Sequence, residues 1–342
     1  WMIMYLCGLA VALPSSSSLT FGSKPAVLPS GVLGAPAHFD GLETATQFLS
    51  VSRKCSVTGE MVEVEVVRRA ARPACFHIGG LLSEAECNHL IAAADTAGME
   101  QATTAGGDAR SGCGVAWLPV ASDNVCATVS ATCEQLFLQP EVLHPSKWSD
   151  GGRWENMQVL KYEEGGEFKL HYDANEKAHR ILTILFYLNG VGETWFPLAL
   201  QNVSDAEAVG NANPPRQTAL EAARRLQPKR DGLVVAPKRG DAVAFYNYVD
   251  DGRAQVDRLA LHAGLPAPSK KSVAALWFHV DLQLEDGSKP LAVGLSPKAK
   301  SYEDIDGEPE PVKTGYRGGG GMGAPAKKAA HRGSKRKGQK KR

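Results

Sequence analysis

An α+β fold, mainly β, is predicted for this chain, with a sandwich or jelly-roll core and helices ahead of it. Two observations predict it. From Met157 onward eight short apolar or alternating runs follow one another: "MQVLKY", "FKLHYD", "RILTILFYL", "ETWFP", "GLVVAPK", "DAVAFYN", "RLALHAG" and "SVAALWFHV". Gly, Asn, Asp or Pro separate most of them, the pattern of short strands joined by turns. Upstream, "LLSEAECNHLIAAADTAG" repeats its apolar residues at helical spacing. Ser83 and Glu86 form a capping-box pattern at its start and Gly98 closes it.

The elements follow in order. Trp1 to Leu13 is an apolar run of 13 residues followed by Pro14 and four serines. It is short for a membrane span and fits the apolar stretch of a secretory signal or anchor, although no basic residue precedes it. Residues 14 to about 50 are rich in Ser, Pro, Gly and Ala and read as linker, so 1–50 is expected to stand apart and ordered structure to begin near Cys55. Residues 55–150 hold the predicted helix and a second one over Asn124 to Phe137, which places Cys126 and Cys133 on one face. Residues 151–283 hold the strands. About 199–230 interrupts them with a polar segment carrying a short helical stretch, "TALEAARRL", read as a surface insertion. Asn202-Val203-Ser204 within it is a glycosylation sequon, meaningful in a secreted chain.

Residues 300–342 are expected to form a disordered basic tail, because Gly, Pro, Lys and Arg dominate from Gly307. The formal net charge of +1 hides an asymmetry. Nine of the 38 basic residues lie between Lys327 and Arg342, and the remaining 29 face 37 acidic ones. The body is therefore acidic, and no nucleic-acid partner is expected, since affinity for phosphate would rest on the tail alone. The seven cysteines, Cys7 to Cys133, contain no Cys-x-x-Cys pair, which argues against a zinc cage. In an oxidising compartment some could pair.

The chemistry centres on "GEFKLHYDANEKAHRILTILFYLN". Two histidines and one carboxylate can hold Fe(II) on one octahedral face and leave three positions open. His171 and Asp173 sit two apart, so an extended strand turns both side chains to the same side. His262, 91 positions later and near the end of a strand-like run, is the candidate third ligand. A second His-x-Asp, His279-Val280-Asp281, serves as an internal control. Only His331 follows it, inside the tail, so His279 reads as a packed strand residue. His77 and His179 read as ordinary polar positions.

The stretch 154–281 resembles the prolyl 4-hydroxylase branch of the 2-oxoglutarate- and Fe(II)-dependent dioxygenases. The resemblance rests on "ENMQVLKYEEGGEFKLHYD", "RILTILFYLN", "GETWFP", "VAPKRGDAVAFYN", "LHAGLP" and "KSVAALWF", in the family order. Upstream, "FHIGGLLSEAECNHLI" extends it to about residue 75. It implies a double-stranded β-helix, the jelly-roll core of this family, with N-terminal helices packed on it. It also implies Fe(II) on His171, Asp173 and His262, with 2-oxoglutarate and O₂ as co-substrates and L-ascorbate to re-reduce the iron. The distal carboxylate of 2-oxoglutarate needs a cation deep in the barrel, and Lys271 fits that role. Family members usually carry this lysine ten residues after the distal histidine, where this chain has Ser272. Trp277, six after Lys271 as in the family, selects Lys271 over Lys270. Tyr162 matches a tyrosine that reaches the co-substrate, Thr183 would add a hydroxyl contact, and Trp277 would wall the site. Arg110-Ser111-Gly112 matches the family's Arg-x-Ser only loosely.

The partner so implied is a proline-containing peptide or protein, hydroxylated with release of succinate and CO₂. The alternatives are a related oxygenase acting on another amino acid or protein, and a binding protein that kept the barrel without the chemistry. The apolar start, the cysteines and the sequon point to the endoplasmic reticulum or secretory pathway. Cytoplasm or nucleus is the alternative.

Overall fold

The computed structural model describes residues 47–102, 110–138, 154–174, 180–249 and 255–279, with residues 35, 36 and 39 and the backbone of 3–6 and 9–12. Strands β1 (Ile3–Leu6) and β2 (Leu9–Ala12) lead into β3 (Phe48–Lys54), β4 (Met61–Ala70) and β5 (Cys75–Gly79). Helix α1 (Glu84–Ala97), β6 (Glu100–Gln101), β7 (Cys113–Leu118) and α2 (Asn124–Phe137) follow. Then come β8 (Met157–Tyr162), β9 (Phe168–His171), β10 (Arg180–Tyr187) and β11 (Thr194–Phe196). Helices α3 (Val203–Val209) and α4 (Arg216–Ala223) precede β12 (Leu233–Val235) and β13 (Ala242–Tyr246). A 3₁₀ turn at Arg258–Ala260, β14 (His262–Gly264) and β15 (Lys271–His279) complete the described chain. The fold is mainly β with few helices.

Two antiparallel sheets organise these elements. The large one runs β2-β1-β3-β4-β5-β13-β10-β15-β8-β7-β6 and the small one β12-β11-β14-β9. From β8 onward the chain passes back and forth between the two. Their inner faces pack together: Tyr162, Tyr187, Phe245 and Val273 of the large sheet meet Phe196, Leu233 and Val235 of the small one.

The period of two explains why β10 and β15 are apolar almost throughout. Leu182, Ile184 and Phe186 of β10, with Ala274, Leu276 and Phe278 of β15, join the core that holds the buried faces of α1 and α2. The alternate residues, Thr183, Leu185, Val273, Ala275 and Trp277, face the opposite way, into the space between the sheets.

Both predicted helices form. Ser83 and Glu86 make the reciprocal capping box of α1, and Asp123 caps α2 by accepting from the Cys126 amide at 2.9 Å. Glu86 is fully buried and pairs with Arg53 of β3.

The N-terminal expectation needs correction. Ordered structure starts before Cys55. β3 lies alongside β4 from Phe48 to Lys54, and Phe39 is buried against Phe76 and Phe137, with ring centroids at 4.4 and 5.4 Å. One aromatic in a run of small residues thus ties part of the supposed linker to the core. The apolar start is extended: β1 and β2 pair with each other, and β1 continues the sheet beside β3. No helix among the described residues is long and apolar enough to cross a membrane.

The insertion also differs from a plain surface loop. α4 buries Ala219 and Ala223, and its Leu220 packs with Tyr172 and Leu261. Arg72 grips both the insertion and the cap of the 3₁₀ turn beyond it. Its guanidinium donates to the Gly210 and Ala212 carbonyls and pairs twice with Asp257 at 3.1 Å. Cys55, Cys75, Cys87, Cys113, Cys126 and Cys133 are all buried free thiols. His179, Asp281 and the basic tail lie outside the described residues.

Candidate metal centre

The register of the small sheet brings the distant histidines together. β9 and β14 are antiparallel neighbours, and His171 is directly opposite His262. Asp173, two residues beyond His171, reaches the same point. One ligand atom from each of the three lies within 4.8 Å of the others. The His171 Nε2 is 3.5 Å from Asp173 Oδ1, and the His262 Nε2 is 3.7 Å from Asp173 Oδ2.

Backbone carbonyls decide which nitrogen is free. His171 Nδ1 is 2.7 Å from the Lys169 carbonyl and His262 Nδ1 is 2.9 Å from the Ala260 carbonyl. A carbonyl can only accept, so both Nδ1 atoms carry the proton and both Nε2 atoms are turned toward Asp173. Burial and the neighbouring His171 push the His262 imidazole down to about 4, against the pull of Asp173. It is therefore neutral at pH 7, the form that binds metal. Burial works against charge on Asp173, but the His262 and His171 imidazoles and Arg180 hold its carboxyl well below the usual carboxylate range. Two imidazoles and one carboxylate, converging within one cavity, fit Fe(II).

The same cavity also offers a site for an anion. Lys271 is 3% exposed, and its Nζ sits 5.2 Å from the centre of the Tyr162 ring. No ion pair involves it among the described residues. Burial depresses its ammonium to about 8. Two glycines make room for it: a Cβ at Gly192 (φ +94°) would lie 2.5 Å from Lys271 Cδ, and one at Gly264 would lie 3.3 Å from its Nζ. A buried ammonium without a carboxylate partner, in the cavity that also holds the triad, suits the far carboxylate of a keto diacid. That cavity, with a volume of about 40 Å³, is lined by Tyr162, Thr183, Thr194, Lys271 and Trp277 besides the triad. Lys270 points outward, 79% exposed, and pairs with Glu163 at 3.3 Å.

Comparison with known proteins places the chain in a family. The model of the 2OG-Fe(II) oxygenase superfamily matches residues 157–279. "Probable prolyl 4-hydroxylase 4" of Arabidopsis thaliana is 30% identical over 260 residues, covering 70% of this chain and 77% of that protein. The chain belongs to the prolyl 4-hydroxylase family. It is thus a 2-oxoglutarate-dependent dioxygenase, with Fe(II), 2-oxoglutarate and O₂ as the reactants that the family uses. The "Transmembrane prolyl 4-hydroxylase" of Homo sapiens is 32% identical over 172 residues, covering 42% of this chain and 32% of that protein. Among solved structures, the viral collagen prolyl hydroxylase of Paramecium Bursaria Chlorella virus-1, in its 2OG complex, is 24% identical. It covers 60% of this chain and 96% of that chain, with a TM-score of 0.41.

One predicted site residue also has partners within the candidate centre. Thr183 lines the cavity, but its hydroxyl proton goes to Asp173 Oδ2 at 2.8 Å, while Asn247 donates to the Thr183 oxygen at 2.9 Å. Asn247, Thr183 and Asp173 thus form a hydrogen-bonded chain that fixes the orientation of the Asp173 carboxylate. Sequence reasoning also missed Arg180 and Glu155. Arg180 is fully buried, pairs with Glu155 and donates to the Asp173 carbonyl at 3.3 Å, with its guanidinium 4.0 Å over the Trp277 ring. Burial opposes the Glu155 charge, yet Arg180 and His279 hold it at about 2. The available signal was two charged residues at the entrances of otherwise apolar strands.

Proposed function

We propose that this chain hydroxylates peptidyl proline at carbon 4, with Fe(II) on His171, Asp173 and His262 and 2-oxoglutarate anchored by Lys271. The single observation that carries the reading is the pairing within one cavity of a convergent His-Asp-His set with a buried, unpaired lysine. Bound iron would supply the activation of O₂ that converts 2-oxoglutarate to succinate and CO₂ and delivers one oxygen atom to a C–H bond. Everything else falls to the chain. The Lys169 and Ala260 carbonyls fix the two imidazoles by accepting their Nδ1 protons. Thr183, held by Asn247, keeps Asp173 turned inward. Lys271 and the Tyr162 hydroxyl would fix the far carboxylate, setting the reactive end of the co-substrate at the triad. Trp277, Phe168 and Phe245 keep the cavity apolar, which limits water around the reacting atoms.

The alternation of successive strands between two facing sheets supports a double-stranded β-helix over 151–283, with residues 55–150 as the helical part laid on its outer face. L-ascorbate serves as the reductant after turnovers that lack substrate. The exposed Asn202 at the start of α3 is accessible to glycosylation and supports a secretory location.

The test is incubation of the full chain with proline-rich peptides, Fe(II), 2-oxoglutarate, O₂ and ascorbate. The expected result is one added oxygen per modified proline and an equal amount of succinate. Succinate matched by oxygen on a different residue type would favour the related-oxygenase reading instead.

A further inference from the structure

Trp117 is 38% exposed, although it is the largest side chain of its strand. It is no stray surface residue, because the sheet register joins it to the cavity. Trp117 of β7 is opposite Gln158 of β8, Gln158 is opposite Ala275 of β15, and Ala275 is opposite Leu185 of β10. Residues in register across antiparallel strands share a face of the sheet. Ala275 and Leu185 both line the cavity of the metal centre. Trp117 therefore stands on the inner face, two strands out from Ala275. Its ring centroid is 6.3 Å from that of Trp277, which also lines the cavity, so the two indoles form a continuous aromatic surface. Gln158 is buried between them and accepts from Arg110, another lining residue, at 3.4 Å. β6, the outer neighbour of β7, pairs only with Gly114 and Val115. Among the described residues no strand covers the edge beside Trp117.

We infer that Trp117 is a substrate shelf: it docks the proline-rich chain flanking the residue that enters the cavity. The inference rests on the proposed function and adds to it the residue that grips the flanking part of an extended, proline-rich peptide. Such peptides carry little conformational entropy to lose and pack their rings on exposed aromatics. The geometry also sets a length. Two strand spacings separate β7 from β15, about 10 Å in all. A polyproline II chain rises about 3.1 Å per residue. Trp117 then meets a residue about three positions from the hydroxylated one, and peptides too short to reach it gain nothing from it.

The experiment measures kcat and KM for two proline peptides, one of about four residues and one of about ten with a central target, a contrast set by that rise. The wild-type protein and Trp117→Ala and Trp117→Phe are compared. In Trp117→Ala the KM of the long peptide should rise about 5–20-fold with kcat retained, the size of a lost aromatic contact. The short peptide should show no such rise, and Trp117→Phe should recover most of the long-peptide KM. Equal losses for both peptides, or no loss for either, would overturn the shelf while leaving the proposed function standing. A wild-type protein that turns over neither peptide would overturn both. If Trp117→Ala does not fold, Trp117→Leu, which keeps bulk but no aromatic face, replaces it: a KM rise confined to the long peptide supports the shelf, and an unchanged long-to-short KM ratio overturns it.

Discussion

His262 and His279 are both buried strand histidines, 5% and 3% exposed, and both contact a carboxylate. They differ in what holds the second nitrogen. His262 gives its Nδ1 proton to a backbone carbonyl and turns a free Nε2 to Asp173, which also faces His171. His279 commits its Nε2 to Glu155, which is already neutralised by Arg180, and its Nδ1 has no partner among the described residues. One histidine belongs to a set of lone pairs that converge on a common point. The other closes a buried ion pair. Burial and a nearby acid do not mark a candidate ligand; convergence with two other ligand-type atoms within 4.8 Å does.

The largest expected effect breaks that comparison directly. His171→Ala, Asp173→Ala and His262→Ala should each abolish hydroxylation and Fe(II) binding, as followed by metal titration and succinate formation. His279→Ala should keep the iron. It leaves Glu155 with one fewer donor, which costs on the order of 1–3 kcal/mol of stability. If His279→Ala loses iron while His262→Ala retains it, the two roles are reversed.

A smaller effect sharpens the same distinction one bond further out. Thr183→Val removes the donor that aims Asp173 and strands the Asn247 amide. Iron affinity should fall about 10–100-fold, the usual size for a group that orients a ligand. Thr183→Ser should restore most of it, since serine keeps the donor. Equal iron affinity in the valine and serine variants would leave Thr183 as packing alone.

Much of this was legible in the sequence, and the reasons are local. The His171–Asp173 spacing of two survives folding because a strand has that period. His279 could be set aside because no later strand offered a partner. Turn residues and alternation located the strands, and capping chemistry fixed α1 and α2. What was hidden depends on register and tertiary contact. The pairing of β10 with β15 shifts between Arg180 and Leu182, which puts even-numbered Arg180 beside Trp277, against the parity of the rest of its strand. The sequence does not say where the Thr183 hydroxyl proton goes, and only the fold brings Asp173 within 2.8 Å of it. Phe39 was masked by its low-complexity surroundings, and the packing of α4 on Tyr172 depends on contacts across the whole core.

The smallest predicted effect applies the inward-or-outward question to two neighbouring lysines. Lys271→Ala should raise the KM for 2-oxoglutarate at least ~10-fold, through loss of a charge-assisted contact of roughly 1.5–3 kcal/mol. Lys270→Ala should change it less than ~3-fold, because an exposed pair with Glu163 contributes little. pH separates them further. Burial lowers Lys271 from 10.5 to about 8, so in the free protein its charge is present below pH 8 and is lost above it. The KM for 2-oxoglutarate should therefore be flat on the acid side and climb as pH rises through about 8. Stability moves the opposite way. At neutral pH both folded and unfolded chains carry the charge, and the burial penalty is fully present. Between about pH 8 and 10.5 the folded state releases the proton first, so the penalty fades as pH rises. Lys271→Met should accordingly stabilise the ligand-free protein at pH 7, by on the order of 3 kcal/mol, while abolishing stabilisation by 2-oxoglutarate. Thermal melts with and without 2-oxoglutarate in the Lys271→Met and Lys270→Met variants check both signs. A Lys270→Met variant that behaves this way in place of Lys271→Met would reverse the assignment.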